Sequence, residues 1–167
     1  LASLIGEQQE SEVFTEMADR TRRAIQTHLF NQSEGVFSTG LDSEGLAEVG
    51  GWLENLLSLL WEIGTTEQME RVKQRIDESQ IRQLPIWQGA DVEQRRREDA
   101  FAAGPPMTYL LPIGSPLFAY YALWGLFEIG ETQLALNTIG SAYGTMIGRG
   151  ATTLWSDWLG EGSRCRG

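Results

Sequence analysis

At 167 residues the chain is long enough for one domain with its own hydrophobic core. Its 41% hydrophobic and 22% charged residues are ordinary globular values. A formal net charge of −10 and a pI near 4.6 argue against a nucleic-acid partner, because phosphate binding needs a positive surface. The single cysteine, Cys165, rules out an internal disulfide. Together with the single histidine, His28, it leaves too few ligands for a zinc site, so no metal is expected. No cofactor is expected either. Gly140, Gly144 and Gly148 recur every fourth residue, but no Gly-Lys-Ser/Thr follows them, so the stripe suits close helix packing rather than phosphate. The first residues show no basic start, apolar core and cleavage site, so no leader is evident and the cytoplasm is favoured.

The first helix is predicted over about 7–28. Val13, Met17, Ala18, Thr21, Ala24, Ile25 and His28 recur at helical spacing, with acids early and arginines late. Asn31 to Gly35 reads as a turn, and Gly35-Val36-Phe37 opens a short extended piece. From Trp52 to Ile63 the chain is apolar on most sides, and Gly64 stands where a left-handed helix end is expected. Thr65 and Gln68 form a capping box that starts an amphipathic helix carrying Met69, Val72 and Ile76 on one stripe. The all-apolar helix is read as buried between layers and the amphipathic one as facing water.

Residues 80–114 form a long irregular segment with Pro85, Pro105, Pro106 and Pro112; Trp87, Asp91 and Tyr109 are its most informative side chains. The uncharged run from Leu110 to Phe127 contains Pro112, Gly114, Pro116 and Gly125 and is read as a loop leading into a buried helix, not a membrane span. Leu117 to Ile129 is again apolar almost throughout, Gly130 ends it, and a helix from about Thr132 to Met146 follows. The strings Trp61-Glu62-Ile63-Gly64 and Phe127-Glu128-Ile129-Gly130 mark a repeat of an inner helix, a glycine turn and an outer helix, with hairpins at about 52–79 and 117–147. The fold class is therefore all-α, and Trp52, Trp61 and Trp124 are assigned to the core.

The densest cluster of chemistry comes last. Gly148-Arg149-Gly150 delivers Ala151-Thr152-Thr153-Leu154-Trp155-Ser156-Asp157-Trp158. Aromatic faces beside hydroxyl and amide groups suit a neutral ligand with an apolar side, such as a sugar. Ser115-Pro116-Leu117-Phe118, Leu126-Phe127-Glu128-Ile129-Gly130, Tyr143-Gly144 with Met146, Gly150-Ala151-Thr152-Thr153-Leu154-Trp155 and Gly162-Ser163-Arg164-Cys165 together resemble the bacterial α-L-rhamnosidases over about residues 114–167.

The resemblance implies a segment of one (α/α)6 barrel, an αα-hairpin toroid that needs more helices than this chain can hold. It implies an inverting glycoside hydrolase acting on terminal α-L-rhamnose. From their own chemistry, Trp155 and Trp158 are candidates to stack on a sugar and Thr153 to bond its hydroxyls, with Trp87 in the long loop and Arg166 as further candidate contacts. Inversion requires one carboxylic acid to protonate the leaving oxygen and one carboxylate to activate water. The resemblance puts the acid outside this chain and the base directly after Trp155, where Ser156 stands. A serine hydroxyl is too weak a base for that role. Asp157 and Glu161 are the adjacent carboxylates. Arg166, where the family often has histidine, cannot shuttle protons near neutral pH. The alternatives are a non-catalytic α-helical module that binds carbohydrate or protein, and another six-hairpin glycosidase. The expected partners are a rhamnoside and either the remainder of the barrel or a second copy of the chain.

Overall fold

The computed structural model describes residues 2–43, 45–46, 50–86, 110–156 and 158. The architecture is all-α, with five α-helices and two short antiparallel ladders among those residues. After a 3-10 turn, α1 spans Gln8–His28. β1 (Phe30–Asn31) pairs with β2 (Val36–Phe37), and β3 (Leu41–Asp42) with β4 (Gly45–Leu46). Then come α2 (Trp52–Leu60), α3 (Thr66–Ser79), α4 (Pro116–Glu128) and α5 (Thr132–Gly148). Among the described residues no helix is long and apolar enough to cross a membrane.

The core forms where α2 lies against α4. Trp52, Leu56 and Leu59 meet Ala119, Ala122, Leu123 and Leu126, while Val72, Ile76, Leu134, Ala135, Ala142 and Met146 close the layer from α3 and α5. Gly125 sets the α2–α4 distance: a Cβ there would stand 3.0 Å from the Leu56 carbonyl oxygen. A larger side chain would push the two inner helices apart. Ser115 caps α4 by accepting from the Phe118 amide, and Pro116 fills the first turn, where no amide is needed. The capping box of α3 forms as read from sequence: Thr65 accepts from the Gln68 amide at 3.2 Å, and the Gln68 side chain accepts from the Thr65 amide at 2.9 Å.

Four expectations change. Gly64 is not left-handed; Glu62 is, at φ 49°. Gly64 is glycine for space, since a Cβ would stand 3.1 Å from the Phe37 ring and 3.2 Å from Met69. Trp52 is buried, but Trp61 and Trp124 are 49% and 42% exposed: Trp61 stands just past the last residue of α2, and Trp124 lies on the face of α4 opposite Ala119, Ala122 and Leu126. Val13 and Met17 of α1 are each half exposed as well; only the C-terminal end of α1 docks. There Gln26 donates to the Ile63 carbonyl at 2.7 Å and Gln68 donates to the Gln26 carbonyl at 2.9 Å. Finally, Gly140, Gly144 and Gly148 face open space, so no helix packs on that stripe within the described residues.

Candidate functional site

One end of the molecule collects the connections. The inner helices α2 and α4 begin there, and the chain leaving α3 and α5 returns to it, whereas α1 ends beside Ile63 and Gln68, where α2 ends and α3 begins. Four extended segments cross this end in hydrogen-bonded order. Ser38 bridges Gly50, Gly51 runs parallel to Leu111, and Ile113 runs parallel to Ile86. The Leu111 amide donates to the Gly50 carbonyl at 2.8 Å and the Trp52 amide to the Leu111 carbonyl at 3.1 Å. The Ile113 amide donates to the Pro85 carbonyl at 2.9 Å. The result is a backbone belt from which both inner helices start.

Buried side chains fix the belt. Asn55 accepts from the Phe37 amide at 2.8 Å and donates to the carbonyls of Phe37 at 3.0 Å and Gly51 at 2.8 Å. It thus acts as a strand partner for β2 while sitting on α2. Thr138, wholly buried on α5, accepts from the Leu84 amide at 2.8 Å and donates back to the Leu134 carbonyl. Gly50 cannot be larger, because a Cβ would meet the Phe37 carbonyl oxygen at 2.7 Å.

The segment from Ala151 to Trp158 returns to the belt from the end of α5. Gly150 turns it, at φ 88°, and the Ala151 amide donates to the Met146 carbonyl at 3.0 Å. Trp158 is 4% exposed; its indole N–H donates to the Ile113 carbonyl at 2.9 Å. Its ring meets Tyr143 edge-on with centroids 5.4 Å apart. The Tyr143 hydroxyl donates in turn to the Pro116 carbonyl at 2.9 Å, and burial pushes the Tyr143 phenol above its ordinary pKa. Trp158 is therefore held as an anchor, with its one polar atom engaged inside the protein. Trp155 is half-buried against the core, which leaves part of its ring open. Thr152, Thr153 and Ser156 are exposed.

Of the residues singled out from sequence, Thr153, Trp155, Ser156 and Trp158 come together in this one segment. Asp157, Glu161, Arg166 and Trp87, with Asp91 and Tyr109, lie outside the described residues. Tyr143 and the Ile113 carbonyl, which position the segment, could not be found from local pattern. Their partners are distant in sequence, and the resemblance that includes Tyr143 gave it no partner. Among the described residues no group of three His, Cys, Asp or Glu side chains could hold a metal ion.

No protein-family model matches the chain. No curated protein matches it by sequence either. Among solved structures it is similar to the GH78 family rhamnosidase of Bacillus sp. GL1, with a TM-score of 0.65 and 20% identity. The match covers 93% of this chain and 14% of that one, so the chain spans about one-seventh of its neighbour's length. At that identity the likeness establishes the fold, a rhamnosidase-like helical array.

Proposed function

We propose that this chain is an α-L-rhamnosidase-type segment that recognises a terminal rhamnoside but does not hydrolyse it alone. The observation that supports this most is the superposition of nearly the whole chain on a rhamnosidase, together with the Trp155–Ser156 segment at the end where the inner helices begin. The half-open Trp155 ring offers an apolar face to sugar C–H groups, and Thr153 and Ser156 offer hydroxyls. An inverting reaction needs a carboxylate about 6.5–9.5 Å from the general acid, to take a proton from water as it attacks. Ser156 supplies a hydroxyl in that place, so the water stays unactivated. A second reading, a carbohydrate-binding module without catalytic ancestry in use, draws its support from the same serine.

The test combines binding and turnover. Titration of L-rhamnose against tryptophan fluorescence should show saturable quenching, weakened about tenfold by Trp155→Ala. An aryl α-L-rhamnoside should remain intact in the presence of the wild-type chain. Turnover by the wild-type chain would show that another group serves as base. A flat fluorescence titration would sink the recognition reading.

A further inference from the structure

The segment from Gly150 to Trp158 is a strap tied at its two ends. At its start the Ala151 amide donates to the Met146 carbonyl at 3.0 Å, across the left-handed Gly150. At its far end the Trp158 indole donates to the Ile113 carbonyl at 2.9 Å. Between the ties, among the described residues, Thr152, Thr153, Leu154, Trp155 and Ser156 make no hydrogen bond. Leu154 is 73% exposed. Trp155 therefore keeps its place through its own half-buried ring and the tie on either side of it.

The far tie is seated on the belt. The Ile113 amide donates to the Pro85 carbonyl at 2.9 Å, and two residues earlier Leu111 bonds to Gly50 and Trp52. These bonds join segments distant in sequence, and opening the belt breaks them together. That frees the connector in front of α4, and with it the carbonyl that receives Trp158. An indole has one polar atom, so Trp158 has no second bond with which to hold on. Its ring contact with Tyr143 belongs to α5 and carries no information about the belt.

The geometry points to Trp158 as a latch, a positioning residue that makes the place of Trp155 depend on the closed belt. Coupling of this kind is reciprocal: a ligand seated on the Trp155 ring holds the belt shut. The ligand half of the coupling rests on the rhamnoside reading above. The ligand-free half stands on the Trp158–Ile113 bond alone. A tryptophan kept only for packing would serve as well as phenylalanine, so the indole N–H separates the two roles.

Amide exchange of the whole chain, read residue by residue by NMR, tests the latch. Trp158→Phe keeps a ring beside Tyr143 and removes the N–H. In that variant Leu111 and Ile113 should exchange about fivefold faster, from the loss of one hydrogen bond, while the middle of α4 keeps its rate. L-Rhamnose at about a hundred times its Kd should slow Leu111 and Ile113 in the wild type by up to about a hundredfold, again without change in the middle of α4. In Trp158→Phe, equally saturated, the slowing should fall below about twofold. Tyr143→Phe, which leaves the indole N–H in place, should retain it. Unchanged Leu111 and Ile113 rates in Trp158→Phe would overturn the proposal, as would equal acceleration throughout α4. So would a sugar that saturates the tryptophan fluorescence and leaves the wild-type belt rates as they were, or loss of the slowing in Tyr143→Phe to the same extent. A flat fluorescence titration removes the rhamnoside reading only, and the ligand-free rates of Trp158→Phe then decide the latch by themselves.

Discussion

Asn55 carries more of the architecture than its size suggests. Its side-chain amide satisfies three backbone groups that have no water to turn to, at the point where β2 and α2 meet. Asn55→Ala should destabilise the fold by about 2–4 kcal/mol, because an unpaired buried polar group costs about 1–3 kcal/mol and more than one would be stranded. Urea unfolding of the two proteins, compared at equal slope, measures it. Tyr143 makes a different prediction. Its folded-state pKa is raised by burial, so the fold favours the neutral phenol. Stability from this group is intact below its ordinary value of 10.0 and falls as pH rises through the raised one. Tyr143→Phe should lose about 1 kcal/mol at neutral pH with the bond to Pro116. It should also show a shallower loss of stability under alkaline conditions, read from thermal melts at graded pH. The site was only partly legible at this scale. The motif singled out Trp155 and Ser156, which the structure leaves half-buried and exposed respectively, whereas Trp158 gives no sign in sequence that its N–H points inward to Ile113.

The helix ends show how near-identical strings can close differently. α2, α4 and α5 all finish with an amide reaching back five residues: Ile63 to Ser58, Glu131 to Leu126, Ala151 to Met146. Each closure wraps around one left-handed residue, and those residues are Glu62, Gly130 and Gly150. The repeat of Glu-Ile-Gly concealed a two-residue offset, because α2 ends at Leu60 while α4 runs to Glu128. Gly64 was left free to fit between Phe37 and Met69 instead. Glu62 therefore adopts a conformation that costs a side-chain-bearing residue about 1–2 kcal/mol. Glu62→Gly should stabilise the protein by about 1 kcal/mol, after allowing for the greater freedom of glycine in the unfolded chain. Differential scanning calorimetry should show a melting temperature higher by about 2–4 °C. The capping box at Thr65 was readable because both partners lie within one turn. The offset was not, because it depends on the distant Phe37 ring.

For the molecule as a whole, periodicity sufficed to give the helical class, and it failed where burial depends on what lies alongside. The stripe on α1, the glycines on α5 and the aromatics on α4 all read as packed faces, and all three stand open among the described residues. A hydrophobic pattern states that a face is to be covered; it does not state by which polypeptide. The backbone belt adds a consequence for kinetics. Each helix can form from contacts within its own turns, but Gly51 meets Leu111 and Pro85 meets Ile113 only after long stretches of chain have been brought together. The belt should be the last part to assemble, after the α2–α4 pair is in place. In native-state amide exchange, Trp52, Leu111 and Ile113 should therefore open as one unit, at lower free energy than the middle of α4. The end that presents Trp155 would then breathe while the helices beneath it stay closed.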